Sequence, residues 1–223
     1  MITLHHCVAA RSFRPLWALE ELQIPYRLQM LAFPPRTTDR TFLQINPLGT
    51  VPAFIDGDLL MTESAAICHY LGTRYGEGSM VVAPNESEFG SFLNWTHLGE
   101  ATLTFPQTIV LRYERFEPAD RKIPQAVADY RRWFLGRLRA LSPRFAENDF
   151  LCASRFTMAD ISIGYALMLA SFLDMEPDFP EPIQRYWGRL QLREGFKRAK
   201  QAELAAALDQ GVSSLPAPLL VTI

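Results

Sequence analysis

Cysteine is scarce in this chain, with only Cys7, Cys68 and Cys152 among 223 residues. Their odd number and wide spacing exclude a disulfide framework, and no CxxC pair offers a thiolate metal site. Lysine is equally scarce: Lys122, Lys197 and Lys200 stand among 22 basic residues, set against 24 acidic ones. The formal charge of −2 and isoelectric point near 6.1 leave no basic excess to neutralise phosphates, so no nucleic-acid partner is expected. No run of 18 or more apolar residues is present, so no membrane partner is expected either. The opening MITLHHCVAARSFRPLW has no continuous apolar stretch of signal-peptide type, and with so few thiols a reducing, cytoplasmic setting is expected.

What is present suits a globular protein of one large or two small domains, with 48% hydrophobic and 21% charged residues. The pattern predicts a strand over Met1–His6 and an amphipathic helix over Arg11–Leu22, with Pro15 tolerated in its first turn. A second strand is expected over Tyr26–Leu31, a Pro-rich loop over Ala32–Arg36, and a short helix near Thr38–Gln44. The Gly-, Ser-, Pro- and Asn-bearing segment Gly76–Glu86 reads as a linker. Beyond it helices are expected over Glu88–Arg112, Asp120–Leu141, Thr157–Leu173, Pro182–Leu192 and Glu194–Asp209. Thr157 and Asp160 have capping-box spacing before ISIGYALMLASFL, which is apolar almost all round and predicted to be a buried axis. Both residues are expected to stabilise the fold and to touch no substrate.

Residues 44–71, QINPLGTVPAFIDGDLLMTESAAICHYL, carry the most information. A β-prone run, Val51–Ile55, opens with a proline, turns at Asp56-Gly57-Asp58, and resumes as Leu59-Leu60-Met61. The chain then enters a helix through Thr62-Glu63-Ser64. A proline at a strand start cannot donate to the ladder and belongs at an edge or a special turn. With a cis Val51–Pro52 bond, the N–H and C=O of Val51 face outward to pair with an extended peptide as an added strand. The next helix start offers N–H groups and a positive dipole end that suit a carboxylate.

This arrangement resembles the glutathione-binding half of the cytosolic glutathione transferases, and the resemblance spans roughly residues 1–205. It implies an α/β thioredoxin-like N-terminal domain over residues 1–78, followed by an all-α helical-bundle domain over 86–210 and a C-terminal tail over 211–223. It implies glutathione as co-substrate and no further cofactor. Ala10, Thr50, Val51, Pro52, Glu63 and Ser64 are implied as the glutathione contacts, the last two for the γ-glutamyl end. A small hydrophobic electrophile is implied on the second domain's side, against Phe33, His97, Phe105 and Tyr113, with Pro34, Thr102 and Gln107 nearby. A homodimer is implied as well.

Such chemistry needs the thiol as thiolate, the nucleophilic form, whereas a free thiol titrates near 8.5. A hydroxyl donor at a helix N-terminus supplies this without ionising. Ser12 is the only hydroxyl between His6 and Arg14, and reads either as this donor or as an ordinary helix cap. When the helix is aligned by its Ile24-Pro25 end, the family's usual serine or cysteine falls at Ala9, Ala10 or Arg11. Arg11 as a cation beside the sulfur, or the Ala10 and Arg11 amides alone, therefore stand as alternatives. Arg11 also reads as a solvated surface residue. Cys7 reads as an idle buried thiol or as the partner in a mixed disulfide. His5 and His6 point to opposite faces of one strand, so no metal is expected at His5-His6-Cys7. A glutathione-binding scaffold without turnover and a glutathione-dependent reductase or isomerase are the competing readings.

Overall fold

The computed structural model describes residues 1–219, which fall into two compact units. The first begins with strand β1 (Ile2–His6), helix α1 (Phe13–Leu22) and strand β2 (Tyr26–Met30). A four-residue helix α2 (Pro35–Thr38) and a 3-10 turn (Arg40–Gln44) replace the single short helix expected there. Asp39 separates them, its carboxylate accepting the Thr41 N–H at 2.9 Å and so starting a fresh turn. Strands β3 (Ala53–Asp56) and β4 (Leu59–Met61) and helix α3 (Ser64–Tyr75) complete the run.

The sheet order is β2-β1-β3-β4, with β1 parallel to β2 and antiparallel to β3. Gly57 takes φ +60° at the β3–β4 turn, a left-handed conformation that a glycine adopts without penalty. This βαβ-ββα order with a mixed sheet is the expected thioredoxin-like fold. Helix α1 ends where Gln23 turns left-handed and its N–H returns to Glu20 C=O, after which Pro25 prevents continuation.

The second unit is helical. Helices α4 (Phe89–His97) and α5 (Phe105–Leu111) are joined and followed by π-helical turns at Leu98–Thr104 and Arg112–Phe116. One regular helix over residues 88–112 was the expectation. The widening has local causes: Pro106 has no N–H for the ladder, and Thr104 Oγ1 donates to Gly99 C=O at 2.7 Å. Gly99 lies so close to the next layer that a Cβ there would meet Ser162 Oγ at 2.4 Å.

Helix α6 (Pro124–Glu147) starts later than expected and runs through Pro143, because Phe134, Leu138 and Phe145 bury one face against neighbouring helices. Helices α7 (Met158–Phe172) and α8 (Glu181–Gln191) follow. The capping box is formed: Asp160 Oδ2 accepts the Thr157 N–H at 2.8 Å. Its other oxygen accepts from Leu151 N–H at 3.0 Å and Tyr186 Oη–H at 2.8 Å.

Helix α9 (Glu194–Asp209) groups with the first unit, where it packs on α1 and β2. Phe196 meets Phe13 and Trp17 edge-on, and Arg193 makes a two-pronged pair with Glu21 at 2.7 and 2.8 Å. No helix among the described residues is long and apolar enough to cross a membrane.

Candidate functional site

Strand β3 begins only at Ala53, so Val51 and Pro52 lie outside the ladder although both are buried. The Val51–Pro52 bond is cis, as is Phe33–Pro34. Among the described residues, neither the N–H nor the C=O of Val51 has a hydrogen-bond partner. Thr50 is fixed from behind, its carbonyl accepting the Asn46 side-chain amide at 2.7 Å. The Val51 side chain points the other way, into an apolar cluster with Cys7, Ala10, Leu31, Phe42 and Ala53. The side chain thus anchors the residue and the main chain is left for a partner.

Helix α3 begins at Ser64, with the exposed Glu63 in extended conformation before it. Ser64 is buried, and its hydroxyl accepts a hydrogen bond of 3.1 Å from Arg14 Nη1. Arg14 lies in the first turn of α1 and is fully buried. A guanidinium does not lose its proton in a protein, so this end of α3 gains a full positive charge beside its dipole. The arrangement suits a carboxylate. Sequence reasoning missed Arg14, although a charged residue between Phe13 and Pro15 on an apolar helix face was a usable signal.

At the turn from β1 to α1, Ser12 is not an ordinary helix cap. Its hydroxyl makes no capping bond to α1 and is fully buried. It lies 2.7 Å from His6 Nδ1 and accepts the Cys7 N–H at 3.4 Å. His6 Nε2 is 3.0 Å from Glu203 Oε2, and the same oxygen accepts the Ala9 N–H at 2.9 Å. Lys200 pairs with the other oxygen of Glu203. Burial alone would raise the Glu203 carboxyl, but the His6 hydrogen bond and the His6 and Lys200 charges outweigh it and hold it below its ordinary range. A carboxylate only accepts, so His6 carries its proton on Nε2. His6 Nδ1, on the other side of the ring, is the atom that meets the Ser12 hydroxyl. In the same turn Ala10 is buried and Arg11 half-buried, and the Ala10 N–H, an alternative donor to the sulfur, is spent on Cys7 C=O at 3.0 Å.

Burial pushes the Cys7 thiol up to about 12 and leaves it 1% exposed, which marks it as inert at neutral pH. Among the described residues no cluster of His, Cys, Asp and Glu is suited to a metal. The C-terminal tail returns to this region: Ala217 donates its N–H to Val8 C=O at 2.8 Å and joins the cluster around Val51 and Ala10. Residues 220–223 of the tail lie outside the described residues.

Of the residues expected on the electrophile side, Phe33 belongs to the first unit and packs half-buried on the cluster of Val51. The other three belong to the second unit. His97 is exposed at the end of α4, Phe105 is 57% exposed at the start of α5, and Tyr113 is half-buried in the second π turn. Gln107 is instead buried and donates to Leu103 and Ala166 carbonyls at 2.9 and 3.0 Å, as a helix-packing group does.

Residues 10–74 match the protein-family model described as glutathione S-transferase, N-terminal domain. Glutathione S-transferase 3 of Schizosaccharomyces pombe is 33% identical over 189 residues, covering 79% of this chain and 78% of that protein. Elongation factor 1-gamma-A of Xenopus laevis is 26% identical over 185 residues, covering 78% of this chain but 39% of that protein. Among solved structures, the glutathione transferase URE2P8 from Phanerochaete chrysosporium, with oxidized glutathione, shares the fold at a TM-score of 0.79. It is 24% identical, with 91% of this chain and 94% of that one covered.

Proposed function

The chain belongs to the glutathione S-transferase family, and from that premise we propose that it binds glutathione along Val51 and joins its sulfur to a hydrophobic electrophile. The observation that carries this reading is the main chain of Val51, unpartnered among the described residues, two short strands ahead of the Arg14-charged start of α3. In this reading the tripeptide pairs with Val51 as an added strand, with Thr50 and Pro52 shaping the edge. Its γ-glutamyl carboxylate takes Glu63-Ser64, where the helix start and the Arg14 charge favour an anion.

The sulfur then faces the turn before α1, at Ala10 and Arg11. The dipole end of α1 and the Arg11 charge favour the thiolate, while Ser12 acts from behind the turn. The thiolate forms a carbon–sulfur bond, and the leaving group departs with its electron pair or, in an addition, the product takes a proton from water. Phe33, His97, Phe105 and Tyr113 are proposed to contact the electrophile, a homodimer to be the working form, and the cytoplasm its setting. The exposed Leu59 and Leu60 on the edge strand β4 favour a second copy as a partner. Calorimetry with reduced glutathione, paired with a conjugation assay on aryl halides, epoxides and unsaturated carbonyls, is the test. Absence of both binding and conjugation would end the proposal.

A second reading, a glutathione-binding module without turnover, is favoured by alanine at positions 9 and 10 and by the complete burial of Ser12 against His6. The similarity to an elongation-factor subunit points the same way. Titration of bound glutathione by its thiolate absorbance separates the two: an enzyme depresses the thiol pKa, and a simple binder leaves it near its free value.

A further inference from the structure

Resting on the reading that the Cys7–Ser12 turn seats the glutathione sulfur, we propose that Glu203, acting directly on Ala9 and through His6 on Ser12, is the positioning residue for thiol ionisation. Glu203 sits on α9, and one of its carboxylate oxygens accepts both the Ala9 N–H and His6 Nε2–H, at 2.9 and 3.0 Å. Through His6 it orients the Ser12 hydroxyl at 2.7 Å, and that oxygen holds the Cys7 N–H. A single carboxylate thus pins the turn at residues 7, 9 and 12, on either side of Ala10-Arg11.

The pinning answers a local need. Ala9 sits at φ +57°, a conformation that disfavours any residue with a Cβ. The bond from its N–H to Glu203 helps hold it there. His6, Ser12 and Glu203 are each fully buried, so no water competes for these bonds. A buried charged chain is a poor way to fasten a helix to a sheet, since an apolar contact of the same volume often does so as well. What the charged chain adds is direction: it fixes where the amides and dipole of the α1 start point.

Two full-length variants test this, Glu203→Gln and the milder Ser12→Ala. Glutathione affinity is read by calorimetry, the bound thiol by its absorbance titration, turnover with a chromogenic aryl halide, and folding by thermal midpoint. Positioning predicts that affinity and KM stay within about threefold, because Val51 and Ser64 are untouched. It predicts that the bound thiol pKa rises by about one unit in Glu203→Gln, lowering kcat about tenfold below that pKa, with a smaller shift of the same sign in Ser12→Ala. Loss of the carboxylate's charge alone would shift the thiol pKa the opposite way, downward. A downward or absent shift in both variants, whatever the thermal midpoint does, overturns the proposal. Wild-type protein that takes up no glutathione overturns it together with the reading beneath it, whereas wild-type binding with unmoved variants overturns this inference alone.

Discussion

Arg14 Nη1 donates to Ser64 Oγ across 3.1 Å, joining the first turn of α1 to the first residue of α3 with both side chains buried. The two helix starts are therefore held in one geometry by a hydrogen bond from a permanent cation. Replacing Arg14 by Gln removes that charge from the carboxylate seat and leaves a weaker, neutral donor. Charge-assisted bonds contribute about 1.5–3 kcal/mol, so glutathione affinity is expected to fall at least tenfold, read by calorimetry. Unchanged affinity would mean that the seat at Ser64 does not use Arg14.

The Asp160 carboxylate serves a different end. It accepts from Thr157, Leu151 and Tyr186 inside the second unit, with no exposure to solvent. Asp160→Ala strands all of those donors, a loss on the order of 3–5 kcal/mol by the cost of breaking buried charged networks. Urea titration is expected to show a lower midpoint, while glutathione affinity measured well below the transition stays at the wild-type value. A variant as stable as wild type would contradict the reading of this capping box.

Several features of the site were legible because they are local. Val51-Pro52 and Glu63-Ser64 sit within one short β-turn-β-helix stretch, where spacing alone dictates which groups meet. The capping box at Thr157 and Asp160 is legible for the same reason, as a three-residue spacing ahead of an apolar run. The carboxylate behind His6 and Ser12 was not legible. Glu203 lies 197 residues from His6, and only the docking of α9 on α1 and β2 brings it under the turn. Nothing near Glu203 in the sequence distinguishes it from a solvated helix-face carboxylate. The π turn at Leu98–Thr104 was legible only in part: Pro106 and Thr104 are local, but the close approach of Gly99 to Ser162 comes from a helix some sixty residues later.

Cys7 offers a test of the reductase alternative. Its thiol is pushed up to about 12 by burial and packs among Ala10, Val51 and Ala53. Thiolates, not thiols, attack alkylating reagents, so native protein at pH 7.5 is expected to resist iodoacetamide at Cys7 and to react once unfolded. Peptide mass spectrometry reads the difference. Cys7→Ala is expected to keep conjugating activity within about threefold, with a modest loss of stability from the small cavity. Rapid native labelling, or abolished activity in Cys7→Ala, would restore a thiol-based mechanism.

Glu203 also makes a prediction for acid stability, and its sign follows from which state holds the proton more tightly. Burial works against the folded carboxylate, yet His6 and Lys200 more than offset it, so its folded pKa lies below the ordinary 4.5. The unfolded chain therefore binds this proton at a higher pH than the folded chain does. The group's contribution is fully present above the unfolded value and is lost as pH falls through the folded one. Thermal midpoints measured from pH 6.5 to 3.5 are expected to fall more steeply for wild type than for Glu203→Gln, whose amide does not titrate. The gap between the two proteins should narrow as pH falls below 4.5, the window in which the folded carboxylate takes up its proton. Parallel curves over that window would show that Glu203 gains nothing from its neighbours, and the ion chain behind the Cys7–Ser12 turn would then have to be neutral.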